Sequence, residues 1–382
     1  MKVLVPDRSC VAGGAERLCT SLFPELGMLG VEVIWAVPEH RQPDLTATSA
    51  RGPGIRLIPV EWPRGSWQRS LSALCRRLRA LPGATSLFDR LHTARMSQLK
   101  RELQADYLLY PWLLGEPVPP DDGTQVAVIV LDRNWTRFPE NFSQSPAELD
   151  ALVEAWMRRA QRVIAISCDV RADLVQRWPD LAEKITAIPL AASARLDLEA
   201  WQAVEARRPS EPIFYYPATV SPHKGHDTLL SATRDLRARG REFRLFFSGH
   251  GTEALTEPPL IAGLGYASAK RVEELYLQSS AVVLPSRYEG FGLPLAEALA
   301  YGTPVICSDL SVYREQIERL GAQEFVHVVP VGDSKALAEA MDAVLQQGPP
   351  NWERRVSIAA AAERWTWRDV AAAYRNLLQK AS

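Results

Sequence analysis

The sequence predicts an α/β protein of two domains, each a parallel sheet with helices between its strands. Three observations lead there. The chain has 382 residues, room for two domains of ordinary size. Its composition, 47% hydrophobic and 23% charged, is globular, and short apolar runs alternate with segments of helical periodicity. Residues 281–307 spell a whole βαβ unit: a buried strand over Ala281–Pro285, a loop broken by Gly290 and Gly292, a helix from Pro294, a stop at Gly302, and a strand over Thr303–Cys307.

The chemistry of that unit follows from its geometry. Free N–H groups at a helix start point to the carboxyl ends of the strands, where open α/β sheets bind ligands. Gly290 and Gly292 let the backbone approach a sugar or phosphate. Glu289 in the loop and Glu297 one turn inside the helix can reach different parts of one ligand, and a carboxylate suits sugar or ribose hydroxyls. The plainer reading is that Glu297 favours the helix N-terminus and Glu289 is solvated.

The stretch Ser286–Pro294, with Glu297 eight positions after Glu289, resembles the signature of glycosyltransferase family 4. The resemblance implies the GT-B fold: two Rossmann-like domains facing a cleft, with a C-terminal helix that returns to the first domain. It implies that Glu297 binds the ribose of a nucleoside-diphosphate sugar. It also implies that Glu289 and the backbone at Gly290, Phe291, Gly292 and Leu293 meet the donor sugar and phosphate. Retention of anomeric configuration is likewise carried over from the family.

Composition excludes several classes. A net charge of −1 argues against general nucleic-acid binding. The five cysteines, Cys10, Cys19, Cys75, Cys168 and Cys307, show no metal-like spacing, and their odd count in apolar settings suggests buried, reduced thiols in the cytosol. The start, Met1–Pro6, enters a strand without a signal-peptide core, and no apolar run reaches the roughly 20 residues that cross a bilayer. The expectation is a cytoplasmic protein, soluble or peripheral at a membrane surface.

In chain order, Lys2–Pro6 reads as the first strand and Ala15–Leu29 as a helix. Gly13 and Gly14 between them allow close approach of a phosphate or form a plain tight turn. Gly-Gly-Ala-Glu-Arg also looks like the family's first glycine loop, which faces the cleft opposite the donor. Residues 64–103 hold nine Arg or Lys against Asp89 and Glu102, with Trp67, Leu71, Leu74, Leu78 and Leu81 at helical spacing. Such a basic amphipathic helix can meet an anionic membrane or acceptor, or pack its leucines on the domain with its arginines in water. Strands follow at Tyr107–Trp112 and Val126–Leu131. In many similar enzymes the second ends in His-Asp, the His reaching the donor sugar; here Leu131 replaces the His and Asp132 remains as a catalytic-side candidate. Asp132 reads equally as a helix cap or as an ion pair with Arg133 or Arg137. Leu149–Arg159 is a helix, Arg162–Ser167 a strand, Ser167 or Asp169 caps the next helix, and Lys184–Pro189 closes a first domain of residues 1–190.

Residues 191–212 read as linker, 213–362 as the donor domain and 363–382 as the returning C-terminal helix. After the strand Ile213–Pro217, an ammonium at Lys224 can neutralise a diphosphate or be an ordinary surface Lys. Pro-His-Lys-Gly-His before a Leu-Leu helix resembles the family's phosphate loop; Thr219 stands where many members carry Arg. His223 and His226 shape the loop. Gly265 and Tyr266 resemble a turn that lies along the nucleotide base; Tyr266 reads equally as a packed aromatic at a strand end.

The expected function is that of a retaining, metal-independent hexosyltransferase that moves a sugar, for example mannose, from a nucleoside diphosphate to a glycan or lipid-linked acceptor in cell-surface polysaccharide synthesis. Lys224 and Glu289 carry its catalytic chemistry, and no cofactor is expected. The substitutions at Leu131 and Thr219 keep open a non-catalytic sugar-nucleotide-binding subunit, and a nucleotide-sugar epimerase is the third reading. Turnover with and without acceptor separates the three.

Overall fold

The computed structural model describes residues 1–7, 14–38, 52–60 and 84–380. The chain divides into two compact units. The first comprises Met1–Trp135, Pro139–Pro189 and Trp367–Ser382; the second comprises Thr136–Phe138 and Leu190–Thr366.

Among the described residues the first unit has a seven-stranded sheet: β1 (Lys2–Pro6), β2 (Glu32–Pro38), β3 (Ile55–Val60), β4 (Tyr107–Tyr110), β5 (Val126–Val130), β6 (Arg162–Ala165) and β7 (Ile185–Ala187). Neighbours in the order β3-β2-β1-β4-β5-β6-β7 are parallel throughout. Its helices are α1 (Gly14–Met28), α2 (Ala84–Glu102), α3 (Pro146–Arg159) and α4 (Cys168–Arg177). β4 and β5 are buried at every residue, as continuous apolar runs are in parallel sheets covered on both faces. The helix expected from Leu149 starts three residues earlier, at Pro146. There the Ser145 hydroxyl accepts from the Glu148 N–H while Glu148 accepts from the Ser145 N–H at 2.8 Å, a reciprocal cap with Pro in the first turn. Ser167 caps α4, accepting from the Val170 N–H at 3.0 Å.

The basic stretch is described only in its last part. Trp67, Leu71, Leu74, Leu78 and Leu81 lie outside the described residues, as does Gly13; α2 covers the remainder.

The C-terminal helix, Trp367–Gln379, belongs to the first unit and packs against α1. Its buried residues Trp367, Val370, Ala371, Tyr374 and Leu378 repeat at helical period. Arg162 donates to the Leu377 and Lys380 carbonyls at 3.2 and 2.7 Å, tying β6 to that helix.

The second unit has six parallel strands in the order β10-β9-β8-β11-β12-β13: β8 (Ile213–Pro217), β9 (Arg244–Ser248), β10 (Ile261–Gly263), β11 (Ala281–Leu284), β12 (Val305–Ser308) and β13 (Val326–Val329). Its helices are α5 (Leu198–Glu205), α6 (His226–Ala238), α7 (Ala269–Gln278), α8 (Leu293–Ala300), α9 (Ser311–Leu320), α10 (Ser334–Gln347) and α11 (Trp352–Ala362). The chain runs outward from β8 to β9 and β10 on one side, and from β11 to β12 and β13 on the other. β8 and β11 therefore flank the switch point, where such sheets bind ligands.

Two expectations are corrected, and one helix is added. Residues 191–212 are more than a linker: they carry α5, started by Asp197 accepting from the Ala200 N–H at 2.8 Å, with Trp201 packed on Trp352 at 5.1 Å. Those two tryptophans also give α11, which the sequence reading passed over, its partner. Finally, burial raises the thiols of Cys19 and Cys307, but Cys168 is exposed at the start of α4.

No described helix is long and apolar enough to cross a membrane.

Candidate functional site

The site grows from two turns at the carboxyl ends of β8 and β11. After β8 the chain makes a 3-10 turn over Pro222–Lys224 and enters α6 through Gly225, whose φ is +66°. A side chain at residue 225 would be strained, and its Cβ would lie 2.2 Å from the Pro285 carbonyl oxygen. Glycine there lets the Lys224 turn lie flat on the loop that follows β11.

Close approach of the turns pairs the two residues expected to carry the chemistry. The Lys224 ammonium donates to both oxygens of Glu289, at 2.8 and 2.9 Å. Ser286 Oγ donates to Glu289 Oε1 at 2.7 Å, and the Tyr313 hydroxyl reaches the same oxygen at 3.5 Å. The Tyr216 hydroxyl donates to the Lys224 carbonyl at 2.8 Å and lies 3.1 Å from Ser286 Oγ. Burial, reinforced by the Glu289 charge, holds the phenols of Tyr216 and Tyr313 well above their usual range, so both stay protonated. Lys224 is thus no free surface cation, and Glu289 is not simply solvated. An ammonium has three N–H groups; two are spent on Glu289 and the third remains for a ligand oxygen.

Arg287 clamps the turns together. Its backbone N–H donates to the His223 carbonyl at 2.7 Å, and its guanidinium donates to the Pro222 carbonyl at 3.0 Å and pairs with Asp227 at 2.5 Å. His226 fills the space beneath, its ring 4.9 Å from Tyr216 and 5.4 Å from Phe247; burial lowers its pKa from 6.5 to about 4. Both histidines therefore sit in the framework of the loop.

α8 starts at Gly292, with φ +82°. A Cβ at Gly292 would come within 2.4 Å of Tyr313 Cε1, so glycine again permits the approach. Gly290, Phe291 and Leu293 bracket this start, and the buried Gln316 side chain donates to the Phe291 carbonyl, fixing the loop from behind. Glu297 lies in α8, 9% exposed, its Oε2 accepting from the Tyr276 hydroxyl at 2.7 Å. Gly302 ends the helix with φ +70°, as its position implied.

The other residues expected on the donor side gather along β8, β9 and β10. The Val220 N–H donates to the His250 carbonyl at 2.9 Å, and the Gly249 N–H to the Gly265 carbonyl at 2.7 Å. Exposed Thr219 stands beside Gly249, where a Cβ would meet the Thr219 nitrogen at 2.6 Å. Gly265, with φ +60°, donates its N–H to Thr252 Oγ1 at 2.9 Å. Tyr266 is 83% exposed, its ring 6.0 Å from His250, so the packed-aromatic reading is ruled out.

In the first unit, Gly14 opens α1, and among the described residues nothing lies within 4 Å of where its Cβ would be. Asp132 follows β5 and accepts from the Asn134 N–H at 3.0 Å, capping the short turn Asn134–Thr136. Its neighbour Arg133 pairs with Asp150 and Asp173 at 2.8 and 3.0 Å. Beside Asp132 is a recess of about 120 Å³ whose walls include Trp112, Leu131, Trp135 and Phe142.

Among the described residues no group of three His, Cys, Asp or Glu is placed to hold a metal ion. Sequence reasoning missed Arg287 as a clamp, Ser286 and Tyr216 as partners of the Lys-Glu pair, and the contact of Tyr276 with Glu297. The alternation of strands signalled that these residues share an edge, but not which side chains meet.

Comparisons with known proteins bear on the family resemblance and the fold. Residues 197–365 match the family model for group 1 glycosyl transferases. The serotype-specific mannosyltransferase WbdA of Escherichia coli is 30% identical over 234 residues, 54% of this chain and 28% of that protein. The phosphatidyl-myo-inositol mannosyltransferase of Mycobacterium leprae is 30% identical over 235 residues, 58% of this chain and 59% of that one. Among solved structures, Anabaena HepE in complex with UDP-glucose superposes with a TM-score of 0.71 at 17% identity, covering 100% of both chains. S. aureus TarM, in complex with UDP among other ligands, gives a TM-score of 0.70 at 11% identity over 99% of this chain and 100% of that one. These likenesses show the fold, GT-B with two Rossmann-like domains.

Proposed function

We propose, from the match of residues 197–365 to the group 1 glycosyl transferase model, that the chain is a retaining glycosyltransferase taking a hexose from a nucleoside-diphosphate sugar. The donor sugar we favour is mannose, since the relatives named above are mannosyltransferases. The acceptor class is a glycan or a lipid-linked glycan, and the place of work is the cytoplasm or the cytoplasmic face of a membrane.

The observation that carries this reading is the Lys224–Glu289 pair at the β8–β11 switch point, next to the start of α8. When the bond from the anomeric carbon to the diphosphate breaks, the electron pair leaves with the phosphate. The Lys224 ammonium and the amides at Gly292 and Leu293 stabilise that charge electrostatically. Glu289 holds the ammonium in place through both oxygens. The acceptor hydroxyl attacks the same face that the diphosphate leaves, and its proton passes to the departing phosphate oxygen. Glu297 holds the ribose, and Tyr266 with Gly265 lies along the base. Lysine and helix N-terminus supply the charge that a metal supplies elsewhere, so turnover persists in EDTA.

The test is product formation from GDP-mannose, UDP-glucose and UDP-galactose, with and without an acceptor extract. Acceptor-dependent release of nucleoside diphosphate supports the reading. Donor interconversion without acceptor means an epimerase, and donor binding without turnover under any condition means a binding subunit.

A further inference from the structure

Glu297 sits at the end of a hydrogen-bonded series of buried groups that begins three helices away. Its Oε2 accepts from the Tyr276 hydroxyl at 2.7 Å. Tyr276 is 1% exposed, held edge-on by Tyr215 at 5.2 Å and stacked on Tyr301 at 5.0 Å. The Tyr276 carbonyl accepts from Thr303 Oγ1 at 2.7 Å, and the same Oγ1 accepts from Arg355 Nη1 at 2.9 Å. Arg355, in α11, has no exposed surface at all.

A fully buried guanidinium is costly unless its donors are used. Here Nη2 donates to the Leu277 and Ser279 carbonyls, at 2.6 and 3.3 Å, and Nη1 also lies 3.4 Å from the Tyr301 and Gly302 carbonyls. These carbonyls end α7 and α8, where helix dipoles favour a cation. Gly302 is part of the fit: a Cβ there would come within 2.5 Å of the Arg355 carbonyl oxygen. The planar fork thus fixes the ends of the helix that carries Tyr276 and the helix that carries Glu297, and Thr303 between them.

We propose that Arg355, Thr303 and Tyr276 are positioning residues that lock the Glu297 carboxylate in one rotamer for the hydroxyls of a nucleotide ribose, and so make binding depend on ribose rather than deoxyribose. The proposal rests on the reading of Glu297 as the ribose ligand and adds what orients it. A carboxylate offers about four acceptor sites. The phenol takes one and fixes the plane in which the others lie. Without that hydroxyl the carboxylate loses a fixed partner, and more of its ordering is done at the expense of binding.

Tyr276→Phe removes one oxygen and keeps the ring stack. The probes are GDP, UDP and ADP with their 2′-deoxy counterparts, titrated by calorimetry. Wild-type protein binds the preferred ribonucleotide about tenfold more tightly than its 2′-deoxy form, the size of one charge-assisted hydrogen bond. In Tyr276→Phe the ribonucleotide weakens about tenfold while the 2′-deoxy form changes little, so the ratio collapses. A merely structural role moves both equally, and equal weakening or an unchanged ratio overturns the proposal. Thr303→Val breaks the series one step further back; a partial fall in the ratio, about threefold, is expected, and it decides the matter if Tyr276→Phe does not fold. If the wild type itself does not distinguish ribose from deoxyribose, the assignment of Glu297 is wrong, which is a separate result from a failure of the positioning residues.

Discussion

The carboxyl edges of the two sheets carry different chemistry. In the second unit, β8 and β11 end in charge under tight control: Lys224 and Glu289 paired through two contacts, two phenols, a serine and a guanidinium clamp. In the first unit, β4 and β5 end in an apolar recess walled by Trp112, Leu131, Trp135 and Phe142, with Asp132 as the carboxylate of its lining. An edge that handles a diphosphate needs fixed charges, because preorganised donors stabilise developing charge without reorganising. An edge that takes a neutral sugar needs apolar faces and few polar groups. Leu131, in the wall of that recess, fits the second description.

The comparison is broken most severely through glycine. Gly225→Ala strains a positive φ and drives a Cβ into the Pro285 carbonyl, separating the two turns. A loss of roughly 3 kcal/mol is expected, with donor binding abolished. Gly14 opens α1 with nothing near its Cβ position among the described residues, and Gly14→Ala should change stability by under about 0.5 kcal/mol. Urea denaturation of both variants checks the contrast; equal effects would mean that the second unit's edge is no more constrained than the first's.

The acid response should track His226. Its folded pKa is about 4, lowered by burial from 6.5, so above 6.5 the ring is neutral in both states and the stability is fully present. As the pH falls from 6.5 towards 4 the unfolded chain takes up a proton that the folded one refuses, and roughly 3 kcal/mol is lost. His226→Leu should flatten the dependence of the urea midpoint over that window. A slope identical to wild type would show that His226 is not the responsible group.

Asp132→Asn keeps the cap, since Asn caps as well as Asp, but removes the charge. We expect kcat/KM for the acceptor to fall about tenfold, or about 1.4 kcal/mol, with nucleotide affinity unchanged. Weakened nucleotide binding in that variant would move Asp132 to the donor side.

Tyr266→Ala should have the smallest effect on stability, within about 0.5 kcal/mol, because its ring is 83% exposed. Its effect belongs on the base: loss of selectivity among GDP, UDP and ADP is expected, while inorganic diphosphate binds as before. Unaltered selectivity would leave the base to the backbone alone.

Much of this edge was legible from the chain. β11, the glycine loop and α8 were readable because apolar run, glycines, proline and Gly302 each mark a local feature and lie within one βαβ unit. The roles expected of Glu289 and Lys224 came from resemblance, but their pairing did not, because 65 positions separate them and their approach is set by Gly225 against Pro285 and by the Arg287 clamp. Arg355 was invisible for a different reason. In Trp352–Ala362 it reads as one more surface arginine, and only the converging carbonyl ends of α7 and α8 explain its burial. Tyr266 shows the converse: an aromatic at a strand end reads as core or as surface, and the turn at Gly265 decides for the surface.

The central claim is that the Lys224–Glu289 pair at the β8–β11 switch point manages the charge of a nucleoside diphosphate. Its most direct test is calorimetric titration of wild type and Lys224→Ala with the preferred nucleoside diphosphate and with the corresponding nucleoside. Loss of a charge-assisted contact should weaken the diphosphate by roughly 1.5–3 kcal/mol and leave the nucleoside nearly unchanged. Equal weakening of the two ligands, or none, in a folded variant would contradict the account and place the diphosphate elsewhere.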